Sequence, residues 1–344
     1  MADHGDLPEL VRDSKLPTIL QHDLTIHAKP PGRRNAPRQA IWRQERILGH
    51  GGYGVVSLQR RWSKGSATPD FRAVKQIQIS NPGSGVGSFV HELEALAKFS
   101  QDKYADFFVK SQGWYLDSES LYIAMEYCEC GDLRAYLAEK NTLPEDEAQD
   151  IAAQVLGGLS LMHEVGFAHR DIKPANILIK SKPPDDWWVK VCDLGLSKRT
   201  SGVAASMTVR GTPGFMPPET IGLDGNPRVA NPLSADMWCF GETVYQMLIG
   251  SPAFSSYPDL ADYHKGSMAF PSEAMKKASA SESAVDFIQS LMKASPGERL
   301  TAGQALEHPW MMLAVEQTMP LPDLSLLSTT TRRRPLSIFP RRTS

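Results

Sequence analysis

The chain is short of cysteine, of charge imbalance and of long apolar runs. Its four cysteines, Cys128, Cys130, Cys192 and Cys239, are too few across 344 residues for a disulfide framework. The opening MADHGDLPEL also lacks the basic and apolar blocks of a secretory signal. Both absences point to a reducing intracellular compartment, and a cytoplasmic setting is expected. Cys128 and Cys130 form a lone C-x-C with no second Cys/His pair at zinc spacing nearby, so ordinary cysteines are expected rather than a metal cage. Lys and Arg (37) nearly balance Asp and Glu (39), which leaves no global attraction for nucleic acid or an anionic membrane. Neither is expected as a partner. No apolar run approaches the ~18 residues of a membrane helix, and no internal repeat is visible. The composition that is left, 41% hydrophobic and 22% charged, allows a sizeable core in one large domain or in two lobes with tails.

Residues 1 to 41 hold Pro8, Pro17, Pro30, Pro31 and Pro37 with little apolar periodicity, and read as a mostly disordered extension. The fold is expected to start near Trp42. The strings ERILGHGGYGVVSLQRR, FRAVKQIQI and WYLDSESLYIAMEY read as strands, with one helical pattern, SFVHELEALAKF, inserted. From about Gly131 long helical patterns take over. PEDEAQDIAAQVLGGLSLMHEVG places Ile151, Val155, Leu159 and Met162 on one face, and Thr142 with Glu145 reads as a capping box. ANILI and WVKVCD read as short strands; SADMWCFGETVYQMLIG and SAVDFIQSLMKA read as helices. The expected class is α+β, with a small antiparallel sheet lobe (about 42–125) and a larger, mainly helical lobe (about 126–311). Residues 312–344 end in TTTRRRPLSIFPRRTS and read as a basic, disordered tail.

Three strings carry chemistry. Gly49, Gly51, Gly52 and Gly54 form G-x-G-x-x-G ahead of a second strand, the pattern of a hairpin flap whose backbone amides approach a phosphate. Lys75 lies inside a strand, where a solvent-facing role is the ordinary one, but the helical pattern supplies Glu92 as a partner able to hold its ammonium toward phosphates. Glu94 competes; Glu92 is preferred because Leu93 and Leu96 then mark the inward face. Finally, AHRDIKPANILI crowds His169, Arg170, Asp171, Lys173 and Asn176 together, with Pro174 forbidding a regular helix.

In order and spacing, HRDIKPAN and VKVCDLGLSK resemble the catalytic and metal-binding loops of eukaryotic serine/threonine protein kinases. Met216-Pro217-Pro218-Glu219 is similar to the family's A-P-E, Asp236 to Gly241 (DMWCFG) to its D-x-W-x-x-G, and Arg299 in GERLT to its late arginine. The resemblance runs from about Trp42 to Met311. It implies a two-lobed fold that binds ATP and Mg²⁺ and moves the γ-phosphoryl group to Ser or Thr of protein substrates. It also implies that Asn176 and Asp193 hold the metal, that Asp171 takes or orients the hydroxyl proton, and that Lys173 lies on the transferring phosphate. Leu48 and the four glycines would cover the nucleotide, and Lys75 with Glu92 would hold its phosphates. Val56, Ala73 and Leu178 would sandwich the base, with Met125 at the back of its pocket. Glu126 and Cys128 would offer backbone groups, and Asp132 a ribose contact. His169 is expected to be structural. Arg170 beside the catalytic Asp implies an activation segment ordered by an upstream kinase, with Ser201, Ser206 and Thr208 as acceptors and Thr208 favoured. Thr212 in GTP would bridge Asp171 and Lys173, and Lys173-Pro174-Ala175 favours serine/threonine over tyrosine. The chain is expected to act as a monomer.

Leu194 replaces the usual Phe, the usual His-Pro-Asn after the helix is replaced by SQDKYADFFVK, and Ala175 stands where basophilic kinases often carry Glu. MEYCECGDL and HRDIKPANIL hint at the calcium/calmodulin-dependent group, yet no calmodulin-target helix follows. Arg334 to Ser337 and Arg341 to Ser344 resemble sites for arginine-directed kinases, which makes the tail a candidate regulatory or nuclear-import segment. The main alternative, a pseudokinase scaffold, has no chemical need for Lys75, Asp171, Asn176 and Asp193 together. A P-loop hydrolase lacks its G-x-x-x-x-G-K-[ST], and a dinucleotide-binding oxidoreductase lacks its strand-to-helix setting.

Overall fold

A computed structural model describes residues 8–29, 38–51, 54–63, 66–79, 89–194, 198–199, 211–223 and 231–312. The first lobe comprises α1 (Glu9–Asp13), β1 (Thr18–Gln21), β2 (Leu24–Lys29), β3 (Arg38–Gly51), β4 (Gly54–Arg61), β5 (Asp70–Gln78), α2 (Val90–Phe99), β6 (Ser111–Leu116) and β7 (Ser120–Glu126). Its strands form one antiparallel sheet in the order β1-β2-β3-β4-β5-β7-β6. Alternation along β5 sends Ala73, Lys75 and Ile77 to one face and Arg72 and Val74 to the other. On the first face Leu93, Ala95, Leu96 and Phe99 of α2 join Ile77, Trp114, Leu121 and Ile123 in the main core. On the second, Val74, Tyr115 and Ala124 form a separate small core with Leu16 and Tyr122 against it.

Residues 8–29 depart from the disordered extension expected of them. β2 pairs with β3 and β1 pairs with β2, so the sheet begins well before Trp42. The amide of Leu16 donates to Trp114 O (2.8 Å) on β6, while Thr18, two residues on, already belongs to β1. Two residues span about 7 Å at most, so the sheet curls until β1 returns to β6. The proline-rich composition concealed this because the ordering comes from partners distant in sequence.

The second lobe comprises α3 (Leu133–Lys140), α4 (Glu145–Glu164), β8 (Phe167–Ala168), β9 (Ile177–Ser181), β10 (Trp188–Val191), β11 (Lys198–Arg199), α5 (Pro218–Ile221), α6 (Pro232–Ile249), α7 (Tyr257–His264), α8 (Ser272–Lys277), α9 (Glu282–Leu291) and α10 (Ala302–Leu306). Ile151, Val155, Leu159 and Met162 of α4 are all buried, as their spacing predicts. The capping box at Thr142 and Glu145 does not form. Pro144 is the N-cap of α4, and the Glu145 carboxylate accepts instead from Ser281 N (2.8 Å), Ser281 Oγ (2.6 Å) and Trp310 Nε1 (2.9 Å). Where the His-Pro-Asn is missing, Phe108 and Val109 run onto β10, with Val109 N and Val191 O 3.0 Å apart. Phe99, Tyr104, Phe108 and Phe167 form an aromatic cluster there that ties α2 to the second lobe. Among the described residues no helix is long and apolar enough to cross a membrane.

Candidate active site

The segment after β8 is held by one fully buried carboxylate. Asp236 of α6 accepts from His169 N (2.8 Å) and Arg170 N (2.7 Å), and its Oδ2 also meets His163 Nε2 (2.9 Å). Arg170 takes a left-handed φ of 72° at this turn, a conformation costly for a non-glycine residue and held by both Asp236 oxygens. His169 is buried; its Nδ1 accepts from Asp171 N (3.3 Å) and its Nε2 donates to Cys192 O (3.0 Å). Every polar atom of the ring is thus spent on holding two loops together, the structural role expected of it.

That turn aims Asp171. Its Oδ1 accepts from Thr212 Oγ1 (2.8 Å), and its Oδ2 accepts from Lys173 Nζ (2.7 Å) and Asn176 Nδ2 (3.0 Å). Lys173 Nζ also donates to Thr212 Oγ1, so the threonine hydroxyl bridges Asp171 and Lys173 as its sequence context implies. Asn176 Nδ2 further donates to Asp171 O (2.7 Å). With its nitrogen committed twice, the Asn176 side chain has Oδ1 left for another partner.

Across the cleft, Lys75 Nζ donates to Glu92 Oε1 (3.1 Å) and to Asp193 Oδ1 (2.7 Å). Burial alone would push the ammonium down; the two carboxylates reverse this and hold it above its ordinary range. Glu92 sits above the usual carboxylate range, because burial and the nearby Asp193 outweigh the pull of a lysine shared between two acids. Asp193 has a left-handed φ of 60°, and Leu194 after it is buried in the main core. The apolar role of the missing Phe is kept. Lys75, Glu92, Met125, Asp193 and Leu194 line a cavity of about 20 Å³, room for about one water.

The expected nucleotide wall is placed by strand register. Gly49 pairs with Val56, Gly51 with Gly54, Val56 with Lys75, and Ala73 with Met125, so β3 and β4 form the anticipated hairpin flap beside Lys75. Gly54 has φ 139°, and a Cβ there would lie 1.9 Å from Gln76 O, which requires glycine for the close approach to β5. Leu48 is half-buried on β3, Cys128 is buried, and Leu178 bridges to Asp132. Burial pushes the Cys128 thiol up to about 11, consistent with an ordinary, unreactive cysteine. Two side chains are engaged elsewhere. The Glu126 carboxylate accepts from Lys190 Nζ (2.7 Å) and Lys110 N (2.8 Å), and Asp132 Oδ1 caps α3 at Ala135 N (2.8 Å). Gly52, Ser201, Ser206, Thr208 and the basic tail lie outside the described residues.

The buried Arg299 grips Glu219 with two parallel bonds (2.8 and 2.7 Å). Sequence reasoning missed the anchoring role of Asp236. The DMWCFG string marked its position, but the atoms it holds are backbone amides and leave no trace in residue type.

Comparison with known proteins fits this geometry. The family model "Protein kinase domain" matches residues 42–311. The serine/threonine-protein kinase RAD53 of Saccharomyces cerevisiae is 32% identical over 83% of this chain and 34% of its own length. The mitogen-activated protein kinase kinase kinase A of Dictyostelium discoideum is 31% identical over 95% of this chain and 32% of its own. The chain therefore spans about a third of these curated relatives. Among solved structures, Rad53 1-466 in complex with AMP-PNP aligns at a TM-score of 0.60 and 31% identity, covering 78% of this chain and 64% of that one. A bilobal fold, a catalytic-loop aspartate in contact with a lysine and an asparagine, and a lysine between two acids thus stand within a family match of most of the sequence, and the chain belongs to the protein kinase family.

Proposed function

We propose that the chain is a serine/threonine protein kinase that transfers the γ-phosphoryl group of ATP to hydroxyls of protein substrates. The observation that carries this reading is the convergence on Asp171 of Lys173, Asn176 and Thr212, together with the Lys75–Glu92–Asp193 triad. Relatives named serine/threonine-protein kinases, and a similar Rad53 structure in complex with AMP-PNP, support it.

Asp171 accepts the proton of the attacking hydroxyl or orients it for attack. Lys173 offsets charge on the transferring phosphate, and Thr212 fixes both side chains at the substrate end of the cleft. Lys75 aligns the nucleotide phosphates while Glu92 fixes Lys75. The donor set fits Mg²⁺: Asp193 offers carboxylate oxygen, and Asn176 offers Oδ1 because its nitrogen is tied to Asp171. Mg²⁺ bound there supplies positive charge against the phosphates. Thr208, with Ser201 and Ser206 as alternatives, is the proposed acceptor for an upstream kinase, with Arg170 as a phosphate grip.

The test is transfer of labelled phosphate from Mg-ATP to a degenerate Ser/Thr/Tyr peptide library by wild type and Asp171→Asn. Transfer to Ser and Thr that falls by about 10³-fold in the variant, with ATP binding kept, is expected. Transfer to Tyr alone, or a variant as active as wild type, overturns the reading.

A further inference from the structure

The kinase reading leaves residues 8–17 without a task, although they touch the helix that carries Glu92. Helix α1 lies against α2. Val11 is fully buried in the same core as Leu93, Leu96 and Phe99, and its carbonyl accepts from Trp114 Nε1 (2.7 Å), itself a buried bond. The chain then runs beside β6 for one rung. Trp114 N donates to Ser14 O (3.1 Å), Leu16 N donates to Trp114 O (2.8 Å), and Lys15 Nζ stands 5.3 Å over the Trp114 ring. Trp114 is therefore held by this segment through its amide, its carbonyl and its indole at once. The sheet makes room for it: a Cβ on Gly113 would lie 2.6 Å from Ser14 O and 2.7 Å from Leu16 Cγ, at a φ of 117° open to glycine. Beyond Leu16, Pro17 O accepts from Ala28 N (3.0 Å), so the far end of the segment is sewn into β2.

A helix of ten residues such as α2 has no strong stability of its own; its position is set by what packs against it. One flank meets the sheet, and its C-terminal end meets the aromatic cluster around Phe99. Two further elements lie against it, β11 and α1, and α1 is tied to β6 through Val11 O while the segment that follows it is tied to β2 through Pro17 O. We infer that residues 8–17 are a built-in brace that positions α2, keeping Glu92 within reach of Lys75. The brace acts on the catalytic lysine through α2; Val11 and Trp114 are positioning residues. It rests on the kinase reading for its consequence in catalysis, but its effect on α2 is measurable without any turnover.

Val11→Asp in the full chain puts a charge into the α1–α2 contact. Three readings are expected. Hydrogen exchange of the α2 amides (90–99) rises at least about tenfold while that of α6 (232–249) is unchanged. The kcat falls about tenfold with peptide KM held within about threefold, the pattern of lost transition-state positioning. In a Glu92→Gln background the same change costs less than about twofold, because the group through which the brace acts is already lost. Val11→Ile restores wild-type behaviour, and Val11→Ala gives the same readings at smaller size should the aspartate variant not fold. Unchanged α2 exchange overturns the brace, as does an undiminished cost in the Glu92→Gln background, which general destabilisation would give. A wild type that transfers no phosphate sinks the proposed function alone; the exchange experiment still decides the brace.

Discussion

Two buried cations sit three residues apart on β5 and face opposite ways. Lys75, on the face covered by α2, is shared by two carboxylates that hold its charge firmly. Arg72, inside the curl of the sheet, meets neutral acceptors: Gln59 Oε1 (2.9 and 2.6 Å) and His27 Nε2 (2.8 Å), with the Trp42 ring 4.2 Å from its guanidinium carbon. Burial, with Arg61 nearby, pushes Arg72 down to about 10. The contrast separates two uses of a buried charge. Around Lys75 the acids belong to α2 and to the loop after β10, so the ion pairs depend on how the lobes and helix are placed. Around Arg72 the partners Gln59, His27 and Trp42 are in the same sheet, and the charge knits strands together.

The comparison breaks most visibly at the lysine. Lys75→Met is expected to cut phosphoryl transfer by about 10²–10³-fold, with the fold retained. Steady-state transfer and circular dichroism check this, and full activity in a folded variant would remove Lys75 from the chemistry. Arg72→Leu should do the reverse. It leaves Gln59 Oε1 and His27 Nε2 as buried acceptors without that donor, at about 1–3 kcal/mol each, so urea unfolding should show a loss of about 2–6 kcal/mol. Transfer should fall less than about tenfold. A catalytic loss equal to that of Lys75→Met would show the two faces to be one machine.

The smallest effect sharpens the assignment of the neutral network. His27 Nε2 faces a guanidinium and so carries a lone pair; Nδ1–H donates to Thr18 Oγ1 (2.8 Å), whose hydroxyl donates on to Leu16 O (2.9 Å). Burial, then Arg72 and Arg61, push His27 from 6.5 down to about 4. The folded state therefore binds fewer protons than the unfolded chain between those values, and this contribution to stability is present above pH 6.5 and lost as pH falls toward about 4. Thermal melts across that window should fall more steeply for wild type than for His27→Gln. Equal slopes would mean that His27 is not held neutral by its burial and the neighbouring cations.

The same contrast explains what the sequence disclosed. The Lys75–Glu92 pair and the catalytic loop were readable because the protein kinase family restricts residue type in short strings, whereas the second contact of Lys75, to Asp193, was not anticipated. Glu92 could be preferred over Glu94 from the apolar face of one helix. The inner network resisted reading because Thr25, His27, Gln59 and Arg72 are individually unremarkable and acquire meaning only once strands far apart in sequence are paired. The failed capping box had the same cause, since the true partners of Glu145 lie more than a hundred residues downstream. Asp132 shows the limit from the other side, as a cap for α3 and a ribose contact call for the same residue type.

The seam at Trp114 has a practical bearing on how the protein is handled. The family match begins at Trp42, and a recombinant product trimmed to that border would lose β1, β2 and the rung beside β6. Trp114 would lose its indole acceptor, Tyr115 and Val74 would meet water, and β3 and β6 would both become open edges. Open edges beside bare aromatic rings invite association between molecules. A soluble preparation should therefore keep the residues from Pro8 onward, and aggregation of the shorter product would reflect an unrolled sheet rather than a faulty catalytic domain.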